Sequence, residues 1–279
     1  MSKLLLCDID GVLLSANPDP SLPYMRRLVY LRELCEKYRR NKGYIPIDNR
    51  LITEDTLNKR ETTDLGYVMT LLYPDHHPFS HDFVDLLDLA RDSEDLIRES
   101  MVFYNQLLSD SDQIRYEPNP GVKEFLTECQ NKGWILKITS GNPYRLTVSK
   151  LHLSGLFDFF RDGDKPFLDI HLGYGEHAWF RDQMIENAMS RNYLATTVYI
   201  GDRESDIGSV TRVDGLRGII IPSFSSERLH LTEIQDLIAT KRILVLKGLA
   251  DKSSRLQALD FMESNTQGKE TRLPIAARK

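Results

Sequence analysis

Leu4-Leu5-Leu6-Cys7-Asp8-Ile9-Asp10-Gly11 is the stretch on which the reading of this 279-residue chain turns. Four apolar residues bounded by a turn signal read as a buried strand. Side chains alternate along a strand, so Asp8 and Asp10 are expected on the same side. Two carboxylates at the end of a buried strand repel each other unless a cation lies between them. Magnesium suits that place, being hard and selective for oxygen ligands. Gly11 lets the backbone turn sharply and approach a bound group closely. A strand ending in a plain polar turn would read the same way, so the stretch needs support elsewhere.

Two further strand ends supply it. Thr197-Val198-Tyr199-Ile200 is apolar and β-rich, and it ends in Gly201-Asp202-Arg203-Glu204-Ser205-Asp206. Carboxylates again follow a buried strand, and open parallel sheets bind ligands at that end. Trp134-Ile135-Leu136-Lys137-Ile138 ends in Thr139-Ser140-Gly141-Asn142. Hydroxyls, a glycine and fresh backbone N–H groups at a strand end form a cradle for phosphate oxygens.

With these three motifs in this order, the sequence resembles the haloacid dehalogenase superfamily of phosphohydrolases. The resemblance covers roughly residues 1–16 and 118–222. It rests on Asp8-Ile9-Asp10-Gly11-Val12, on Thr139 with Ser140, and on Gly201-Asp202 with Asp206. Pro120-Gly121-Val122-Lys123-Glu124-Phe125-Leu126 is similar to the family's helix before the second motif, and Leu153-Ser154-Gly155-Leu156-Phe157-Asp158 to a later segment.

The expected fold is α/β: a Rossmann-like parallel sheet in a three-layer α/β/α core, with a mainly helical cap. The core is assigned to 1–16 and 118–262, the cap to 17–117 and a polar tail to 263–279. Strands alternating with helices imply a parallel sheet covered on both faces. Helices are predicted at about 122–131, 144–151, 179–191 and 204–212, and strands at 134–139, 197–200 and 218–221. Phe157–Phe160 reads as a short strand, and Ile243–Leu246 is too short to place. In the cap, Asn17–Pro23 reads as a linker. Met25, Leu28, Leu31, Cys35 and Tyr38 recur at helical spacing. Arg26, Arg27, Arg32, Arg39 and Arg40 then form a solvated basic face, or one that attracts an anionic substrate. Further cap helices are predicted at 82–92 and 94–108. In the resembled family an insertion after the first motif closes over the site, where a lid excludes water and shapes substrate choice.

Composition narrows the class. Hydrophobic residues make up 41% and charged residues 28% of the chain, as in a soluble globular protein. A net charge of −5 makes nucleic acid an unexpected partner. Cys7, Cys35 and Cys129 are few and widely spaced, so reduced buried thiols are expected. No apolar run approaches the roughly 18 residues that span a bilayer, and the first strand begins almost at Met1. Membrane partners are therefore not expected, and the cytoplasm is the expected location. His76, His77 and His81 cluster in the cap but lack a fourth ligand for zinc, so they read as an exposed polar loop. Trp179 and Phe180 read as core. Arg203 reads equally as a substrate contact or a surface ion pair.

The resemblance implies the roles. Asp8 is the nucleophile, Asp10 the general acid and then base, and Asp8, Asp10 through its carbonyl, and Asp202 hold magnesium. Thr139, Ser140, Gly141 and Gly11 surround the phosphoryl group, and Asp206 stands behind the metal. The dual role of Asp10 requires a raised pKa, which the nearby Asp8 carboxylate would help supply. Asp10 sets the chain apart from the dehalogenases of the family, which lack it. The family's third motif, a lysine often followed by proline before the helix leading to the fourth motif, is irregular here. Lys165-Pro166 matches in type but lies far from Asp202, while Arg181 lies closer to the expected spacing; Lys165 is preferred. The reading is a magnesium-dependent phosphatase acting on a small phosphorylated metabolite. A phosphomutase and a silent binding protein on the same fold are the alternatives. Asp10→Asn is expected to slow turnover and leave metal binding intact, because the carbonyl ligand survives. Full turnover by Asp10→Asn would remove the acid–base assignment.

Overall fold

Leu4, Leu5, Leu6 and Cys7 have no exposed surface, and each fully buried leucine contributes about 1.5–3 kcal/mol. They lie in β1 (Lys3–Cys7), the strand from which the rest is built. The structure, a computed structural model, describes residues 3–17, 21–43, 67–68, 71–72, 93–103, 106, 115–142, 144–162, 165–166, 181–190, 196–222 and 232–264. After β1 come β2 (Leu14–Asn17), α1 (Ser21–Asn41) and a helical stretch at 93–103. The chain continues through β3 (Arg115–Pro118), α2 (Val122–Asn131), β4 (Trp134–Ile138) and α3 (Tyr144–Ser154). A short hairpin follows, β5 (Arg161–Asp162) with β6 (Lys165–Pro166). Then come α4 (Arg181–Ser190), β7 (Thr196–Gly201), α5 (Glu204–Arg212) and β8 (Arg217–Ile220). The last elements are α6 (Thr232–Ala239), β9 (Ile243–Val245) and α7 (Lys252–Glu263).

The main sheet has the order β4-β1-β7-β8-β9, all parallel. Alternation along β1 sorts its two faces. Leu5 and Cys7 pack with Phe125, Leu126, Leu151 and Leu259, from α2, α3 and α7. Leu4 and Leu6 pack with Ile185, Val210 and Ile234, from α4, α5 and α6. The core is therefore a three-layer α/β/α sandwich. The register sets Cys7 beside both Ile138 and Ile200, so three strand carboxyl ends coincide.

Some expectations differ from the structure. Phe157–Phe160 is a 3-10 turn, not a strand. The segment after Phe160, for which the sequence predicts no element, carries the small β5–β6 hairpin. Ile243–Val245 pairs with β8 as the edge strand. Glu263, assigned by composition to the tail, ends α7, where its carboxylate accepts bonds from Lys3 and Trp134. The basic face of α1 is not wholly solvated, because Arg27 and Arg39 are buried. Arg39 donates to the carbonyls of Leu71 and Leu72. Arg26 and Arg40 are exposed, and Arg32 pairs with Glu36. The chain leaves the core along β2 and returns along β3 as one antiparallel ribbon. Tyr30 of α1 stacks on Phe103, with ring centroids 4.3 Å apart. His76, His77, His81, Trp179, Phe180 and the predicted helix at 82–92 lie outside the described residues. All three cysteines are free and buried, and burial pushes the Cys35 thiol up to about 12. Among the described residues no helix is long and apolar enough to cross a membrane.

Gly121 opens α2 with φ 83°, and a Cβ there would lie 1.8 Å from the Leu249 carbonyl oxygen. Both the backbone angle and the neighbouring main chain exclude a side chain. Gly121→Ala is expected to lower stability by about 2 kcal/mol or more, read as a shift of the urea midpoint at unchanged slope.

Candidate active site

The first motif is a turn beyond β1. Asp8 N–H still bonds the Ile200 carbonyl at 3.0 Å, but Leu13 and Leu14 N–H both return to the Ile9 carbonyl. Strand alternation therefore ends at Cys7 and does not govern Asp8 and Asp10. Gly11 has φ 82°, and a Cβ there would lie 2.1 Å from Asp202 Oδ2, so the close approach of the two motifs demands glycine. Asn119, where the insertion returns, donates through its side chain to the Gly11 and Val12 carbonyls at 3.0 and 2.8 Å.

Asp8 is 3% exposed. Its Oδ1 accepts from Ile9 N–H at 2.8 Å, and its Oδ2 accepts from Arg181 Nη1 at 2.7 Å. Arg181, at the start of α4, also donates to Asp206 Oδ1 and to the Tyr199 hydroxyl. Tyr199 in turn donates to Asp206 Oδ1 at 2.9 Å. Asp206 Oδ2 accepts from the N–H groups of Asp202 and Arg203, both at 2.8 Å. Asp206 is thus filled by donors and fixes the start of α5. Burial pushes the Asp8 carboxyl up, Arg181 opposes that, and the Asp206 charge adds to it. Burial acts against the Arg181 charge, but Asp206 and Asp8 outweigh it and hold the guanidinium firmly protonated.

Asp10 has different partners. Lys150 Nζ, from α3, donates to its Oδ1 and Oδ2 at 2.7 and 2.8 Å, and Asn142 Nδ2 donates to Oδ2 at 2.6 Å. Burial works to raise the Asp10 carboxyl. The Lys150 charge and hydrogen bond, the Asn142 hydrogen bond and the Arg203 charge outweigh it, so the pKa is lowered. This reverses the expected direction. The sequence sets Asp8 two positions from Asp10, whereas Lys150 reaches it only through the fold.

The second motif joins through the backbone, since Thr139 N–H bonds the Cys7 carbonyl at 2.9 Å. Thr139 and Ser140 have no exposed surface. Thr139 Oγ1 is buried with no hydrogen-bond partner among the described residues. Ser140 Oγ accepts from the backbone and side-chain N–H groups of Asn142. A Cβ at Gly141 would lie 3.8 Å from Arg181 Nη2.

The structure thus brings Asp8, Asp10, Gly11, Thr139, Ser140, Gly141, Arg181, Asp202 and Asp206 to one end of the sheet. Lys165 lies in β6, and its side chain is outside the described part. Among the described residues, Arg181, the other candidate for the third-motif cation, is the one that donates to Asp8. Tyr199, Lys150 and Asn142 had been given no role. Lys150 had a legible signal: Leu146, Thr147, Lys150, Leu151 and Ser154 share the buried stripe of α3, and a lysine there needs a partner. Tyr199 carried less, because a tyrosine within a strand reads as packing.

Asp8, Asp202 and Asp206 each offer a carboxylate oxygen, and these lie within 4.8 Å of one another. Asp206 already accepts from Arg181, Tyr199 and two backbone N–H groups, so of the three Asp8 and Asp202 are the residues that could hold a hard cation. Four carboxylates meet two cations, Arg181 and Lys150, with Arg203 alongside. The excess is negative, which fits a divalent ion.

Arg181→Met leaves Asp8 and Asp206 buried without their cation. Losing one partner of a buried pair costs about 3–5 kcal/mol. Arg181→Met is therefore expected to be destabilised by about 3 kcal/mol in chelator, measured by urea denaturation. Added magnesium should recover part of the loss. A loss below about 1 kcal/mol would contradict the assigned network.

No family model matches the sequence, and no curated protein matches it significantly. Solved structures do match. A hydrolase from Pseudomonas syringae superposes with a TM-score of 0.52 at 12% identity, over 93% of this chain and 98% of that one. A family IA, variant 3 hydrolase of the haloacid dehalogenase type from Entamoeba histolytica gives 0.50 at 14% identity, over 94% and 99%. CbbY from Rhodobacter sphaeroides, in complex with xylulose-(1,5)bisphosphate, gives 0.50 at 13% identity, over 90% and 96%. These likenesses span nearly the whole of each chain. With the parallel sheet and its three converging strand ends, they establish that this chain has the haloacid dehalogenase fold.

Proposed function

We propose that the chain is a magnesium-dependent phosphohydrolase of the haloacid dehalogenase superfamily, acting on a small phosphorylated metabolite through an aspartyl-phosphate on Asp8. The observation that carries this is the Asp8 carboxylate. It is buried and fixed by Arg181 and Ile9 N–H, and Thr139 N–H bonds the Cys7 carbonyl just before it. A positioned carboxylate, a cation on it and an unused hydroxyl donor nearby match what attack on phosphorus requires. The fold agrees with this reading but does not by itself assign an activity.

In this account Asp8 Oδ attacks phosphorus and forms the new O–P bond as the ester O–P bond breaks. Asp10 gives its proton to the leaving oxygen, which departs as an alcohol. Asp10, now ionised, takes a proton from water as that water attacks the phosphorus. The Asp8–phosphate bond breaks, releasing inorganic phosphate, and Asp10 is again protonated for the next turnover. The ionised form favoured by Lys150 is the one that serves the hydrolysis half. Thr139 Oγ1 and Ser140 N–H hold phosphoryl oxygens, and Arg181 balances charge on Asp8 and the transferring group. Asp8, Asp202 and the Asp10 carbonyl would hold magnesium, which when bound neutralises phosphoryl charge and orients the group. Residues 17–117, entering and leaving along β2 and β3, act as the cap that excludes bulk water.

The test is phosphate release from para-nitrophenyl phosphate and a panel of small phosphomonoesters, with magnesium and with chelator. Wild type is expected to release phosphate only with magnesium, and Asp8→Asn to lose at least about 10³-fold. Conversion of a sugar phosphate to an isomer with little free phosphate would replace hydrolysis by mutase chemistry. Equal release by wild type and Asp8→Asn would overturn the proposal.

A further inference from the structure

The first motif is held by its backbone turn and by Asn119, and Lys150 adds a separate partner on the Asp10 side chain. Its geometry is specific. Lys150 is 4% exposed and lies on the sheet-facing stripe of α3. Its ammonium sits 5.3 Å from the centroid of the Tyr116 ring, which β3 supplies. The side chains of the pair are 5% exposed at the lysine and 36% at the aspartate. The cation end is sealed and the carboxylate end is open.

The hydrogen bonds are also countable. A carboxylate offers about four lone-pair sites. Lys150 fills one on each oxygen, and Asn142 fills a second on Oδ2. One position is left for an incoming donor or acceptor proton. With both oxygens held, neither rotation of the carboxylate nor a swing of the side chain is free. Orientation of this kind lowers a proton-transfer barrier without any new contact to the substrate.

We propose that Lys150 is a positioning residue of the phosphoryl-transfer site. Seated on Tyr116 and acting with Asn142, it holds the Asp10 carboxylate with a single open position aimed at the leaving oxygen. The inference rests on the phosphohydrolase reading above. It also identifies α3 as a carrier of function, since one loop and helix then supply Thr139, Ser140, Asn142 and Lys150.

The experiment compares kcat/KM for two probes, para-nitrophenyl phosphate and the alkyl ester glycerol 3-phosphate, in wild type, Lys150→Met and Lys150→Gln. Nitrophenolate leaves without a proton, whereas an alkoxide needs one. Wild type that releases phosphate from either probe supports the underlying reading, and inactivity on both and on the wider panel contradicts that reading first. Given activity, Lys150→Met is expected to lose at least about tenfold more on the alkyl ester than on the aryl ester. Lys150→Gln, which keeps one donor, should recover part of the alkyl loss. Equal losses on the two esters, or no loss, would overturn the role given to Lys150. If Lys150→Met does not fold, the same comparison is read from Lys150→Gln and Asn142→Ala, where a shared loss on both esters again overturns it.

Discussion

Buried carboxylates at the carboxyl ends of β1 and β7 set the constraint on which everything else in this molecule depends. Asp8 and Asp202 are 3% exposed and Asp206 has no exposure. Isolated negative charges cannot persist in such surroundings without cations or hydrogen-bond donors. The chain answers with Arg181 from α4, with Tyr199 from β7 and with backbone N–H groups at the start of α5. Those partners can meet only because β1 and β7 are parallel neighbours in register. Glycine at 11 and at 201 follows from the same crowding, since a side chain at either would fall on Asp202 or Asp206.

A second ion pair, Lys150 with Asp10, stands apart from the first. The two carboxylates of the first motif therefore have separate cations from separate helices. Arg181 reaches Asp8 from one side of the sheet, and Lys150 reaches Asp10 from the helix that follows β4. This division gives the two acids different environments. Burial pushes Asp8 up, while Lys150 holds Asp10 down. These directions favour the ionised form of Asp10, which serves its base step and runs against its acid step.

Much of this was legible in the chain itself. The apolar runs at 4–7, 134–138 and 197–200 became adjacent strands of one parallel sheet, and the carboxylates after them met. Local pattern suffices there, because a strand buried on both faces must be apolar throughout. Long-range partners were harder to see. Lys150 reaches Asp10 across 140 positions, and Tyr199 meets Arg181 through a hydroxyl that alternation alone assigns to the core. For the third-motif cation, residue type points to Lys165-Pro166 and spacing to Arg181, and only the fold shows that the arginine fork reaches both Asp8 and Asp206. The basic stripe of α1 reads as solvated or as attracting an anion, but Arg39 turns inward to the carbonyls of Leu71 and Leu72, a contact no helical wheel contains. Short elements such as β9 and the turn at Phe157–Phe160 carry too few residues for a period to declare itself.

The central claim is covalent chemistry at Asp8, and trapping it tests the account most directly. Wild type and Asp10→Asn would be mixed with a turned-over phosphomonoester and magnesium, quenched in acid, reduced with borohydride and mapped by mass spectrometry. The account predicts homoserine in place of Asp8 and, with para-nitrophenyl phosphate, whose leaving group needs no proton, more of it in Asp10→Asn, where hydrolysis of the intermediate is slowed. Phosphate release with no reduction product at Asp8, or with a product at another acid, would contradict it.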